Sequence, residues 1–175
     1  RIVKNPSAEL LAERQNLDGS IVLATMEGAR PLLVEIQALV NPTNFGYPKR
    51  TASGFDLNRL NLLVAVLEKR TKLKLADKDI YVNVVGGLKL NDPAADLAVA
   101  MAIASASAGR SLDEGAVVFG EIGLGGEVRS ATNWQARIKE AKKLGFTYAI
   151  APKVHKDKFI KGVSDMRQAL IDYLQ

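Results

Sequence analysis

The chain has 175 residues with a formal net charge of +5, and 47% of its residues are hydrophobic against 25% charged. This length fits a single domain, and no apolar run is long enough for a membrane span, so the composition argues against a membrane protein. The complete absence of cysteine excludes disulfides, a thiol nucleophile and thiolate metal sites, and it favours the cytoplasm. We interpret the single histidine, His155, as a solvated loop residue and predict no metal site.

The positive charge favours a polyanionic partner such as nucleic acid. The chain begins at Arg1 without a methionine, which indicates a piece of a longer polypeptide. Residues 1–18, which include a capped short helix, are assigned to a segment that leads into the domain, and residues 19–175 to the domain itself. Its first elements are predicted to be a β-hairpin, formed by strands at Ser20–Glu27 and Pro31–Val40.

Residues 41–55 (NPTNFGYPKRTASGF) contain two prolines and two glycines and are predicted to form a long irregular loop. The aromatic residues of this segment are Phe45, Tyr47 and Phe55. Lys49 and Arg50 lie among them, a mixture suited to phosphate contact and base stacking. The alternative is an exposed turn with its aromatic rings in the core. Arg59, near the start of the next helix, would complete a basic cluster.

A helix is predicted from its N-cap Asp56 to about Arg70, because leucine and valine residues recur there at helical spacing. The basic residues at and beyond its end are Lys69, Arg70, Lys72 and Lys74. Cations complement the negative end of a helix dipole, so we interpret this group as solvated structural charge. A strand is predicted next, at Ile80–Val85.

The stretch Gly86–Ala108 is the one around which the chain is organised. Asp92 is the predicted N-cap of a helix, Pro93 fits its first position, and Gly109 ends it. Nearly every residue from Ala94 onward is small or apolar, which predicts a helix buried on all sides. A double glycine before a buried helix start can hold an anion or a nucleophile, but alanine carries no such chemistry.

The segment GEIGLGGEVR predicts a hairpin, because its glycines lack both the lysine of a Walker loop and the spacing of a dinucleotide loop. The other predicted elements are a strand at Val117–Phe119, a helix capped by Thr132 or Asn133 with Trp134, Ile138 and Ala141 on one face, a strand at Phe146–Ala151, a basic loop at residues 152–162 and a terminal helix at Val163–Leu174. Strands that alternate with helices after an initial hairpin predict an α/β (α+β) domain with β-α-β units.

Several motifs in a fixed order resemble a known family. NDPAAD, GEIGLGGEVR and a helix ending in KKLG are similar to the proteolytic domain of Lon-type proteases. GSIVLATMEG, RPLLVEIQALV and LNRL resemble one branch of it, the C-terminal Lon-like domain of the RadA (Sms) family of bacterial DNA-repair ATPases. The resemblance spans residues 19–174 and implies a Lon proteolytic-domain-like fold, of the ribosomal protein S5 domain 2 type.

Lon-type enzymes use a serine nucleophile and a lysine general base. The resemblance places Ala94 at the serine position, Gln135 at the lysine position and Asp96 where the family has a glycine. A methyl group cannot attack a carbonyl and a neutral amide cannot take the serine proton. We therefore predict a pseudo-protease without catalytic residues, so that this fragment is not an enzyme. A Ser-Lys peptidase that uses Lys139 is the least favoured alternative.

The resemblance implies a DNA-dependent ATPase that forms a homo-hexameric ring in recombinational repair, with a recombinase as a further candidate partner. ATP, magnesium and zinc are expected only in parts outside this chain, which has no Walker sequence and no cysteine. We expect the fragment to contribute ring assembly and binding of single-stranded or branched DNA. The candidate contacts are Lys49, Arg50 and Arg59, with Lys89 as a weaker one. The alternative is a protein-interaction scaffold without DNA contact.

Overall fold

The structure is a computed structural model that describes residues 5–175. Its elements in chain order are helix α1 (Pro6–Leu11), strands β1 (Ser20–Glu27), β2 (Arg30–Pro42) and β3 (Arg50–Ser53), helix α2 (Leu57–Arg70), strand β4 (Lys78–Val84), helix α3 (Asp96–Ala108), strands β5 (Ala116–Val118), β6 (Glu121–Ile122) and β7 (Val128–Arg129), helix α4 (Trp134–Lys143), strands β8 (Tyr148–Pro152) and β9 (Ile160–Val163), and helix α5 (Met166–Tyr173).

Seven strands form one sheet in the order β3-β4-β2-β1-β5-β8-β9. β2 runs antiparallel to both β1 and β4, whereas the other neighbouring strands are parallel. β6 and β7 pair separately as a short hairpin. The predicted α/β class, the initial hairpin and the later β-α-β units are therefore confirmed.

Helix α3 lies in the middle of the domain, in contact with β1 and β2 on one side and with α2 and α5 on the other. Every residue from Asp96 to Ser105 is buried, as the small side chains predicted. A 3-10 turn at Pro93–Ala95 precedes this helix, and Gly109 ends it with φ 65°, a left-handed conformation that glycine adopts without strain. α1 and α4 also pack on the sheet, and the six buried residues at the start of β1 show that both of its faces are covered.

Helix α1 contacts the core, although the sequence assigned it to a segment that leads into the domain. The side chain of Asn5 caps the helix by accepting a hydrogen bond from the Ser7 amide at 2.8 Å. The Ser7 hydroxyl is buried, where it donates to Glu140 of α4 at 2.8 Å and accepts from the Leu33 amide of β2 at 2.8 Å. These bonds fix α1 on the domain.

Two predicted loops each contain a strand that the sequence analysis missed. β3 lies in the segment predicted as an irregular loop, and β9 spans the end of the predicted basic loop and the start of the predicted terminal helix. The two strands lie at the opposite edges of the sheet, where alternate residues face solvent and no apolar run marks them. The terminal helix begins instead at Met166, after Asp165 caps it.

The N-terminus of α4 also differs from its prediction. Asn133 precedes the helix with φ 53°, and its side chain makes no capping hydrogen bond. Asn133 therefore occupies the predicted N-cap position, but the capping hydrogen bond expected of its side chain is not made. The buried face of α4 contains Ile138 and Ala141 as predicted, and in addition the charged residue Arg137.

Candidate functional site

The start of α3, to which the sequence analysis assigned the Lon serine position, is closed by hydrogen bonds of the chain itself. Ala94 is only 3% exposed. Its amide donates to Oδ1 of Asp92 at 3.1 Å, and its carbonyl accepts from the Gly120 amide at 2.8 Å. Gln135 is exposed on the first turn of α4. Neither side chain offers a nucleophile or a base, and the assignment of the two residues to the Lon serine and lysine positions stays a prediction.

Arg137 and Asp92 form a buried ion pair close to this position. The guanidinium binds the carboxylate in a bidentate manner, with Nη1 2.5 Å from Oδ2 and Nη2 3.0 Å from Oδ1. Its other donors bond to the carbonyls of Ala24 and Thr132, each at 2.9 Å. The guanidinium also lies 5.5 Å from the ring centre of Phe119. Protein groups therefore surround the charge, and the pair fixes α4 to the start of α3.

The environment of Asp92 keeps its carboxyl group ionised. Burial raises the pKa of Asp92, but the hydrogen bond and the charge of Arg137, together with hydrogen bonds from Ala94 and Thr25, outweigh it, so the pKa lies below its usual value. The sequence analysis missed Arg137 as a partner. A signal was present, because position 137 lies three residues after Trp134 and falls on the buried stripe of α4.

Arg59 and Asp96 form a second pair. Nε of Arg59 donates to Oδ1 of Asp96 at 2.9 Å, and Nη2 contacts both Oδ2 and the carbonyl of Ile122. The Ile122 amide donates back to Asp96 at 3.0 Å. The hydrogen bond to Asp96 raises the pKa of Arg59. Partial burial lowers it, but the negative charge of Asp96 adds to the effect of the hydrogen bond, so that the pKa lies above its usual value. We call these four residues, Asp92, Arg137, Asp96 and Arg59, the paired-charge centre.

The predicted DNA contacts are not joined into one network. Arg59 belongs to the paired-charge centre, and in residues 5–175 no hydrogen bond or ion pair connects it to Lys49 or Arg50. Arg50 donates through Nη2 to the carbonyl of Leu75 at 2.8 Å. Lys49 is exposed. Lys89 is exposed elsewhere, beside a pocket of about 80 Å³ next to the β1–β2 turn.

Residues 43–49 form a loop between β2 and β3 that is fixed at its base, and we call it the aromatic loop. Oδ1 of Asp79 accepts hydrogen bonds from the Thr43 hydroxyl at 2.8 Å and from the Lys49 amide at 2.7 Å. These two bonds, that of the Lys49 amide above all, hold the pKa of Asp79 below its usual value. The Thr43 amide also donates to the carbonyl of Asp77 at 2.9 Å. Both ends of the loop are therefore anchored to β4 or to the residue before it.

The tip of the aromatic loop is open to solvent. Phe45 and Tyr47 are 92% and 93% exposed. Phe55, by contrast, packs against the core. The alternative in which the aromatic rings of this segment lie in the core is therefore wrong for Phe45 and Tyr47 and right only for Phe55.

The glycine-rich turn between β6 and β7 forms the predicted hairpin and is filled by the chain's own carboxylate. Oε1 of Glu127 accepts a hydrogen bond from the Gly125 amide at 3.0 Å. The Gly123 amide donates to the Glu127 carbonyl at 3.0 Å, and the Gly126 amide to the Gly123 carbonyl at 2.9 Å. These amides are already used, so the turn does not fit the phosphate of a nucleotide.

His155 is a ring-stacked residue and not the solvated loop residue that the sequence analysis expected. Its ring lies 5.0 Å from that of Trp134, at an interplanar angle of 17°. Nε2 accepts a hydrogen bond from the Ala131 amide at 2.9 Å, which requires that nitrogen to be unprotonated. Burial, and then the positive charge of Arg137, lower the pKa of His155. The neutral ring thus holds the segment before α4 in place.

The helices found within residues 5–175 include none that is both long and apolar enough to cross a lipid bilayer. In the same part of the chain, no group of three or more histidine, aspartate or glutamate residues is placed so that it could hold a metal ion.

Residues 59–155 match the protein family described as subunit ChlI of Mg-chelatase. Curated proteins named DNA repair protein RadA are similar to most of the chain. The RadA protein of Rickettsia bellii is 49% identical over 152 residues, which cover 86% of this chain and 34% of the relative. That of Halalkalibacterium halodurans is 51% identical over 151 residues (86% and 33%), and that of Bacillus subtilis is 47% identical over 176 residues (96% and 38%). The chain therefore spans about a third of the length of these relatives.

These comparisons confirm the resemblance to RadA, whereas the assignment to a Lon-like domain stays a prediction. They also overturn one expectation, that the fragment is not an enzyme. The match to a family described as a subunit of Mg-chelatase, together with the relatives named DNA repair protein RadA, stands against that expectation.

Proposed function

We propose, from the premise that this chain belongs to the family described as subunit ChlI of Mg-chelatase, that it is part of an ATPase of DNA repair and supplies direct contact with DNA. The observation that carries this proposal is the identity of about half of the aligned residues with proteins named DNA repair protein RadA. ATPase activity is proposed for the whole protein, of which the chain spans about a third.

The distribution of charge supports a contact with DNA. The arginines of the paired-charge centre are neutralised by buried carboxylates. In the part of the chain that the structure describes, no ion pair involves Lys49 or Lys89, and both are exposed. Phosphate contacts depend on charge and reach more than on fixed geometry, so exposed lysines that are held in no ion pair suit them. Arg50, on the edge strand β3, is a third candidate.

The proposal includes a Lon-like scaffold, assembly into a homo-hexameric ring, a cytoplasmic location and a recombinase as a further partner. The location is proposed from the absence of cysteine, and the other parts rest on the sequence resemblance. Sedimentation equilibrium of the whole protein tests the ring, and a mass of one or two chains at all concentrations would contradict it.

A protein-interaction scaffold without DNA contact is the second candidate, and the almost fully exposed Phe45 and Tyr47 favour it, since apolar rings on a surface also suit protein partners. The two candidates differ in their response to salt. Binding through phosphates weakens steeply as salt concentration rises, whereas an apolar contact does not.

The test is a titration of labelled single-stranded and duplex DNA at about 50 mM and about 200 mM salt. We expect binding that weakens with salt, and a salt slope that falls by about one unit in Lys49→Gln or Lys89→Gln. Lys139→Gln, at an exposed lysine of α4, is the matched control and should leave binding unchanged. Absence of binding at the lower salt concentration would favour the scaffold. Equal losses in the control would mean that the chain binds DNA but not specifically through Lys49 or Lys89.

A further inference from the structure

We propose that the aromatic loop and the lysines beside it form a binding surface for single-stranded DNA, on which unpaired bases stack on Phe45 and Tyr47. This inference rests on the proposed DNA contact and specifies its substrate class. The two rings are 92% and 93% exposed. Two aromatic rings exposed on one loop form an apolar surface, and covering it with a partner is favourable.

The loop is held ready for such a contact. Asp79 binds the Thr43 hydroxyl and the Lys49 amide, so that one carboxylate closes the base of the loop. Gly46 separates the two rings and has φ 67°, a conformation that allows a tight turn at the tip. A loop that is already fixed at its base loses less conformational entropy when a ligand binds.

Further basic residues lie on the segment that contacts the base of this loop. The segment that follows α2 touches both of its ends, because the Thr43 amide bonds to the carbonyl of Asp77 at 2.9 Å and Arg50 bonds to that of Leu75 at 2.8 Å. Lys72 and Lys74 lie on this segment and are exposed. Within residues 5–175, neither of them has a carboxylate at ion-pair distance. The sequence predicted that these lysines complement the dipole of α2. Lys72 lines a pocket with α5, whereas Lys74 precedes the residue whose carbonyl bonds to Arg50, so Lys74 is the one that adds to the charge at the base of the loop.

Single-stranded DNA fits this combination better than other occupants. Unpaired bases expose their flat faces, and proteins bind them with aromatic rings flanked by cations that follow the phosphates. In a duplex the base faces are covered by their neighbours, so Phe45 and Tyr47 would gain little. A two-fold contact between the loops of two copies would bring Lys49 against Lys49, which like-charge repulsion disfavours.

The experiment compares single-stranded and duplex DNA of the same sequence on the same set of variants of this chain. Phe45→Ala and Tyr47→Ala should each weaken binding of the single strand roughly 10-fold, the usual size for loss of one stacked base, and leave duplex binding within about 2-fold. Leu124→Ala, at an apolar residue that is 67% exposed on the β6–β7 turn, is the matched control and should change neither. Tyr47→Trp keeps an aromatic ring, so it should retain affinity and show tryptophan emission that the single strand quenches.

Several outcomes would overturn the inference. If Phe45→Ala and Tyr47→Ala leave single-strand binding intact, or weaken both DNA forms equally, the rings do not stack on unpaired bases, although the proposed DNA contact survives. If these variants instead lower the mass of the chain in solution, the loop is a contact between copies. If the unaltered chain binds neither DNA form, the proposed function fails as well.

Discussion

The side chains of the paired-charge centre and those of the aromatic loop differ in burial and in pairing. In the centre, Asp92 and Asp96 are buried and each is matched by an arginine. In the loop, Phe45 and Tyr47 are exposed to solvent, and Lys49 is in no ion pair found among residues 5–175. Charges that are buried and paired serve the fold, whereas groups left exposed without partners are free for a ligand. Position in the fold, and not residue type, separates the two uses of cations in this basic chain.

The largest effect is expected from breaking the buried pair of the centre. Arg137→Met leaves the carboxylate of Asp92 without its counter-charge, and such a loss costs about 3–5 kcal/mol of the free energy of unfolding. Urea unfolding measures it, with Lys139→Met on the same helix as the control. If the free energy of unfolding falls by no more than about 0.5 kcal/mol, the usual range for a surface residue, the ion pair of Arg137 does not stabilise the domain.

A substitution of Arg59 tests whether this residue stabilises the fold or contacts DNA. Arg59→Met removes the partner of the buried Asp96, but the Ile122 amide still bonds to that carboxylate, so we expect a smaller loss of about 1.5–3 kcal/mol. The salt dependence of DNA binding should not change. If stability is unaffected and the salt slope falls, Arg59 is a DNA contact as the sequence analysis predicted, and its pairing is secondary.

A smaller effect, dependent on pH, is expected at His155. The pKa of its ring is lowered in the folded chain, so the unfolded chain takes up the proton first as pH falls. This contribution to stability is therefore complete above the ordinary value of 6.5 and is lost as pH falls from 6.5 toward the folded-state pKa. Urea midpoints measured across this range should fall less in His155→Gln, whose amide oxygen can still accept from Ala131. Identical pH profiles would show that His155 has no part in holding α4.

The smallest effect on stability is expected at the aromatic loop. Phe45→Ser and Tyr47→Ser remove rings that touch little of the protein, so the free energy of unfolding should stay within about 0.5 kcal/mol. Thermal unfolding of both variants measures this. A clear loss of stability would mean that the rings pack on the domain, and the contrast with the paired-charge centre would disappear.

The elements that the sequence predicted are those with a strong apolar pattern. β1 was predicted with its observed bounds, α2 from its cap to its last residue, and α3 from its cap and its small residues. The edge strands β3 and β9 were missed because they are short and half exposed, and because their pairing with β4 and β8 is made by backbone groups that carry no sequence signature.

The properties of the site that could be predicted from the sequence are those that follow from the type of a single residue. Ala94 and Gln135 revealed by themselves that these two positions hold neither a nucleophile nor a base. The ion pairs were not foreseen, because Arg137 meets Asp92 across 45 residues of sequence and Arg59 meets Asp96 across 37. For the same reason Arg59 was grouped with Lys49, its neighbour in sequence. The exposure of Phe45 and Tyr47 was left open by the sequence, since a loop aromatic can turn inward or outward with the same composition.

Photo-crosslinking to a single-stranded oligonucleotide that carries iodouracil tests the division between the two regions most directly, since this base reacts with aromatic rings stacked on it. Peptide mapping should then find the label within residues 43–49, on Phe45 or Tyr47, and none on the segments that hold the paired-charge centre. A label concentrated around Asp92, Asp96 or the start of α4, with the aromatic loop unlabelled, would contradict the account.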